Sequence, residues 1–309
     1  MAPTGASAQP YALWRSPHFA GAFAMFLWAA GMVMGRWVHG VTPPIGLTFW
    51  RCFLAVLVLL PFAWGELRQD WPIWRRHWPT FVALGFFMFS GGTVAMFTGL
   101  HQTTAVNAGL INAIEPTAIM VFAVVLFGDR VTLRQWIGVA VSFVGIVILV
   151  AHGEFARLMT LHFEAGDLWV LGAVLCWSLY ANWVRKVPRG LGRFGVVLGM
   201  LATGAAMTLP FYLWESASGW PMPLDTNTLI TVVFLAVFGS AISTEYWNRA
   251  VAALGAGRAA LYVNLLPIYI VALAILFLGE AMETYHLVGV TVIAAGIYLA
   301  VIAGRRTGR

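Results

Sequence analysis

Between Arg76 and Asp129 the only formal charge is Glu115, which stands directly before Pro116. An ionised carboxylate deep in such an apolar stretch costs several kcal/mol unless it is paired or hydrated. Glu115 could bind a substrate ammonium, take up a proton or pair with Arg51. It could also be a hydrogen-bonded acid that steadies the break at Pro116. Arg51 could receive a carboxylate on its forked guanidinium, or snorkel to the interface and tie helices together. Glu245 with Arg249 is an i,i+4 ion pair or an inner-gate contact. Asn107, Asn112, Asn182 and Asn264 are amides that either glue helices together or touch a substrate. A small-molecule cavity combines apolar walls, aromatic faces and a few fixed polar groups. Trp28, Met32, Met96, Asn112, Glu115, Trp177, Tyr180 and Asn264 could supply that mixture.

The elements that carry these residues are apolar throughout. Of 309 residues, 61% are apolar and 10% charged, against roughly 25% charged in a soluble domain. Charge-free stretches such as Gln135–Gly153, Leu168–Val184 and Ala259–Gly279 approach the length of one bilayer crossing. Spans are expected at roughly 18–38, 45–65, 79–100, 105–127, 133–151, 166–186, 193–215, 227–248, 257–278 and 285–304. Residues 1–17 form an N-terminal tail, polar and proline-bearing, so the first apolar run is expected to remain as a span. Residues 305–309 form the other tail. Cys52 and Cys176 both fall inside spans without a CxxC partner. No metal or cofactor is expected.

The net charge of +6 does not indicate a nucleic-acid partner. With the N-terminus inside, 15 of the 18 Lys and Arg fall in inner loops and tails. That is the positive-inside pattern, and it places both termini in the cytoplasm of a multi-pass inner-membrane (plasma-membrane) protein.

A shift of 151 residues lays the fourth and fifth spans on the ninth and tenth. Ala105, Leu110, Pro116, Ile119, Ala123, Gly138 and Gly145 meet Ala256, Leu261, Pro267, Ile270, Ala274, Gly289 and Gly296, and 12 of the 42 positions from 105 to 146 are identical. Near the start, Ala24, Trp28 and Arg36 match Ala173, Trp177 and Arg185 at a shift of 149. The repeat divides the chain into five-span units, 18–151 and 166–304, joined by an outer loop, 152–165. Because five is odd, the second unit enters from the opposite side. The expected fold is an all-α integral membrane protein of ten transmembrane helices, as two inverted-topology repeats around a central cavity. Pro116 and Pro267 sit near the middle of equivalent spans and should break both helices. Such paired breaks mark midplane sites in secondary transporters. Gly138, Gly145, Gly289 and Gly296 are read as packing residues that let helices approach closely.

The repeated pattern AxxA-x-L…P…G[DE]…G…G and the phrase FWRCFLAVLVLLPF resemble the drug/metabolite transporter superfamily, in its ten-helix EamA-type branch. The resemblance covers all ten spans and is closest to exporters of aromatic and other neutral amino acids. It implies alternating-access export of small metabolites. A drug or nucleotide-sugar carrier of the same superfamily is the alternative, and an intramembrane enzyme the remote one. No Gly-x-Ser protease motif falls within the expected spans, and no HExxH is present. The superfamily's small multidrug exporters couple protons through an acid in their first helix, but here that span, AGAFAMFLWAAGMVMGRWV, has none. Either another acid couples protons or transport is downhill. Oligomeric state is left open.

Overall fold

The computed structural model describes residues 16–38, 40–100, 102–103, 105–154, 156–159, 164–278 and 282–301. Nearly all of both expected tails, part of the 152–165 loop, His101, Gly279 and Glu280 lie outside the described residues. All regular structure among the described residues is helical. The order is α1 (Pro17–Trp37), α2 (Pro44–Gly85), a π segment (Phe86–Thr93), α3 (Val94–Leu100), α4 (Ala105–Asn112), α5 (Glu115–Phe127), α6 (Leu133–Val150) and the short α7 (Ala156–Met159). There follow α8 (Ala165–Trp183), α9 (Arg193–Ala217), α10 (Thr226–Ala236), a second π segment (Val237–Ile242), α11 (Ser243–Leu254), α12 (Ala256–Val263), α13 (Leu265–Leu278) and α14 (Thr284–Val301).

Eight helical runs among the described residues are long and apolar enough to cross a bilayer, and the shorter apolar helix Thr284–Ala300 follows them. One of the eight is a 57-residue run, Pro44–Leu100, which holds two of the expected spans. Straight, it would extend about 85 Å at the α-helical rise, far beyond the roughly 30 Å of a hydrocarbon core. The run is interrupted at His77 (φ −110°, ψ 17°), with Pro72 and Pro79 on either side. Those prolines withhold donors and disturb the preceding turn, so the backbone gives there.

Two helix pairs close the bundle, α2 with α9 and α6 with α14, while α1 packs on α11 and α13, and α8 on α3 and α5. The first pair is joined by reciprocal caps. The N-terminal amides of α2, Ile45 and Gly46, donate to Glu215 near the end of α9 at 3.2 and 2.7 Å. At the other end, the Gly195 amide of α9 donates to Glu66 of α2 at 2.7 Å, and the Gly192 amide donates to Asp70 at 2.8 Å. Gly46 and Gly195 are 149 positions apart, as are Glu66 and Glu215. Carboxylates suit these places because the first amides of a helix lack partners and carry its positive dipole end.

The α6–α14 contact is made by backbone. A Cβ on Gly145 would lie 2.8 Å from the Gly289 carbonyl oxygen, and one on Gly138 2.6 Å from that of Gly296. Ser142 between them donates to the Ile293 carbonyl at 3.3 Å. In each pair the start of one helix meets the end of the other, so both pairs run antiparallel.

Candidate functional site

Two membrane helices are broken at matching positions. The first stops at Asn112 and restarts as α5 at Glu115; the second stops at Val263 and restarts as α13 at Leu265. Pro116 and Pro267 stand just after the breaks, where each ring opposes the carbonyl four residues earlier and no N–H is available to bond it. Ala113 and Asn264, inside the breaks, are 151 residues apart.

A cavity of about 250 Å³ lies against both breaks. Asn112, Ala113 and Pro116 line it from one side, and Val263, Asn264 and Pro267 from the other. Met32 of α1 and Leu149 and Val150 of α6 are also part of the wall, and no lining residue carries a formal charge. Asn112 Oδ1 and Asn264 Nδ2 are buried without a hydrogen-bond partner. An apolar chamber with two spare amide groups suits a small molecule that has an apolar body and a hydrogen-bonding group. A wider depression of about 430 Å³ is bounded by Trp71, Pro72, Arg75 and Arg76 of a single helix, so it lacks opposing walls.

The expected site residues divide into two groups. Met32, Asn112, Asn264, Pro116 and Pro267 meet at the cavity. Glu115, the first residue of α5, is partly exposed and makes no hydrogen bond or ion pair to a described residue. It is absent from the cavity wall although its neighbour Pro116 is part of it. In the second half the register places the buried Leu266 where Glu115 stands in the first. The Arg51–Glu115 pair is not formed. Arg51 instead donates to Thr93 Oγ1 at 3.4 Å and lies 5.8 Å from the centre of the Phe89 ring.

The remaining four do not line the chamber. Met96 is buried with Ala95, Ala108, Val170 and Ala173, against Trp177. The Trp177 indole donates to the Met88 carbonyl at 3.1 Å, within the first π segment. Tyr180 donates to Asn248 Oδ1 at 2.7 Å. Trp28 stacks obliquely on Trp247 with ring centres 5.6 Å apart, and it also packs against the group formed by Ala29, Leu266 and Leu273, of which Leu266 is a cavity-wall residue. Trp28 and Met32 are one turn apart on α1, so Trp28 adjoins the chamber.

Sequence reasoning missed the apolar walls Gly109, Ile146, Leu149 and Val150. They carry no chemical signal, and only their neighbourhood in space distinguishes them. Of the charged side chains, Arg185 bridges to Asp129 at 2.7 Å, joining α8 to the end of α5. Glu245 reaches Arg249 at 3.8 Å, the expected i,i+4 contact, and Arg193 of α9 at 3.6 Å. Asp167 accepts from Thr103 and, at 3.0 Å, from Asn107. Asn182 donates to the Ile119 carbonyl at 3.0 Å and acts as glue between α8 and α5. These contacts tie helices of the bundle to one another away from the chamber wall.

The model of the EamA-like transporter family matches the chain twice, over residues 15–151 and 164–302. The uncharacterized transporter YyaM of Bacillus subtilis (strain 168) is 24% identical over 271 residues, covering 86% of this chain and 87% of its own. A probable terminal-alkyne amino-acid exporter of Streptantibioticus cattleyicolor is 28% identical over 265 residues, covering 85% of each. A probable amino-acid metabolite efflux pump of Salmonella typhimurium (strain LT2) is 24% identical over 211 residues, covering 65% of this chain and 70% of its own. A solved crystal structure shares the fold, with a TM-score of 0.76 at 21% identity over 95% of this chain and 99% of that one. The apolar helices, the broken pair around an uncharged chamber and the match over both halves identify one thing: this chain belongs to the EamA-like transporter family, multi-pass membrane carriers of the drug/metabolite transporter superfamily.

Proposed function

We propose that the protein exports neutral or aromatic amino acids from the cytoplasm across the inner membrane by alternating access, with the cavity between Pro116 and Pro267 as its substrate chamber. The observation that carries this reading is the position of the chamber, bounded by equivalent breaks in two helices 151 residues apart in register. Its volume of about 250 Å³ falls below the 300–1,000 Å³ typical of drug-sized sites. That favours a small metabolite over a drug or a nucleotide sugar. The two relatives named for amino-acid export point to the same cargo.

The proposed architecture is ten spans in two inverted repeats, 18–151 and 166–304, with both termini cytoplasmic. Division of the 57-residue run at His77 supplies the extra span, and α14 completes the count. The antiparallel packing of α2 with α9 and of α6 with α14 supports inversion. Equivalent helices packed about a two-fold axis run parallel if the axis lies along them and antiparallel if it crosses them. Crossing axes lie in the membrane plane and characterise inverted-topology carriers. The two π segments agree, since Thr93 and Ile242, their last residues, are 149 positions apart.

Flux of labelled amino acids in proteoliposomes tests the cargo. The expected result is saturable uptake of phenylalanine or another neutral amino acid, lowered about tenfold by Asn264→Leu, which removes one of the two spare amides. Absence of flux for every amino acid would rule this cargo out. Glu115 is the proposed coupling acid because it is the one carboxylate beside the chamber without a partner among the described residues. An imposed proton gradient should accelerate wild-type flux, and Glu115→Gln should abolish that acceleration while retaining downhill exchange. Gradient-driven flux that persists in Glu115→Gln removes the residue from this role.

A further inference from the structure

The two halves differ where their equivalent tryptophans sit. Trp28 and Trp177 are 149 residues apart, and each packs beside the π-bulged helix of the other half. Trp177 is satisfied by the Met88 carbonyl. Trp28 Nε1 is buried with no partner, and so is Nε1 of Trp247, the ring stacked on it. Three hydroxyls just before Trp247 on the same helix are also buried and unpartnered: Ser240, Ser243 and Thr244, each 0% exposed. The register positions of these four in the other half are Gly91, Val94, Ala95 and Thr98. The polar cluster therefore belongs to one half only.

Membrane hydroxyls usually return a hydrogen bond to the carbonyl one turn back, as Thr48, Thr203 and Thr208 do here. Ser243 and Thr244 follow the π segment, where the widened turn displaces that carbonyl. Their hydroxyls are left available. Ser243 faces α1, because it lies in helical angle between Tyr246 and Trp247. Tyr246 contacts Phe19 and Phe23 of α1, and Trp247 contacts Trp28. Native interiors leave few buried polar groups unsatisfied, so a group of this size calls for a ligand or ordered water.

The chemistry selects the ligand. Indole N–H groups donate only, and hydroxyls can donate; no acidic side chain belongs to the cluster. The complementary group is an oxygen acceptor with more than one lone-pair site. Trp28 places the cluster beside the chamber: Met32, one turn further along α1, lines it, and so does Leu266, a member of the buried group against which Trp28 packs. We propose that Trp28, Trp247 and Ser243 form a carboxylate subsite between α1 and α11, which receives the acid end of the substrate while its apolar body occupies the chamber.

This inference rests on the transport reading, and the experiment separates the two. Proteoliposome flux is measured for phenylalanine and for phenylalanine amide, which differ only at the carboxyl group. Trp247→Phe and Ser243→Ala should each lower the acid-to-amide flux ratio about tenfold, mainly through the acid. Trp177→Phe, which removes an indole already bonded to backbone, should change both fluxes alike and leave the ratio intact. Thermal melting in detergent identifies any variant that fails to fold, and Ser243→Ala, which deletes only a hydroxyl oxygen, serves if Trp247→Phe does not. An unchanged ratio in folded Ser243→Ala and Trp247→Phe overturns the subsite and leaves the transport reading standing. If phenylalanine is not carried, the same comparison is made with another neutral amino acid that is, and its amide; absence of wild-type flux for every amino acid removes both readings.

Discussion

Leucine in place of Gly145 should lower unfolding stability by about 1–3 kcal/mol, the usual range for forcing side-chain atoms into a closed contact. Even the first carbon would lie 2.8 Å from the Gly289 carbonyl oxygen and 2.8 Å from the Ile293 nitrogen. Both are backbone atoms and cannot swing aside, so α6 and α14 must separate. Separation also breaks the hydrogen bond from Ser142 to the Ile293 carbonyl. Helices in lipid gain little from hydrophobic association and depend on close packing of this kind. The control is Gly172→Ala in α8, where nothing lies within 4 Å of the new carbon. It should be neutral or stabilise by up to about 1 kcal/mol, since alanine is the better helix former. Thermal unfolding of the purified protein in detergent reads both, and a Gly145→Leu variant melting with wild type would show that α6 and α14 do not meet through backbone.

The reciprocal caps give the second large effect. Glu215→Ala strands the Ile45 and Gly46 amides at the start of α2. Removing the acceptor from a charge-assisted bond costs about 1.5–3 kcal/mol. Glu215 is only 7% exposed, so water does not readily replace it. Glu66→Ala should cost less, because Asp70 still accepts from Gly192 on the same helix start. Glutamine at either position retains an acceptor and loses the charge–dipole attraction, so it should fall between alanine and wild type. The caps lie at opposite ends of α9 and about 20 residues apart along α2, and the double variant should equal the sum of the singles to within about 0.5 kcal/mol. Denaturant titration of wild type, the two alanine variants and their double variant measures this. Equal losses for Glu66→Ala and Glu215→Ala would contradict the supporting role of Asp70.

Both effects depend on contacts between segments far apart in the chain, and this limits what was legible beforehand. Pro116 and Pro267 announced the helix breaks because proline acts on its own preceding turn, a local effect. The repeat register was readable because Pro and Gly recur at fixed spacing. Glu66 and Glu215 were not singled out in the sequence, because their partners are backbone amides on another helix, which no side-chain pattern marks. Asn107, Asn112, Asn182 and Asn264 looked alike in sequence. The fold binds Asn107 to Asp167 and Asn182 to a carbonyl, while Asn112 and Asn264 line the chamber and each keeps one buried amide atom without a partner.

By itself, the sequence determined that this is a helical membrane protein, where its helices break, and that its halves are related. Those properties follow from charge-free length, proline chemistry and repeated spacing, all of them local or periodic. Tertiary structure decided which polar atoms are spent on packing and which remain for a ligand. Trp28 and Trp177 hold equivalent positions, yet one indole is satisfied by backbone and the other is not. In a soluble protein the apolar stripe of a helix points to the core. Here lipid-facing and interior-facing sides are both apolar, so periodicity carries no inward direction, and only the packed bundle shows which residues meet.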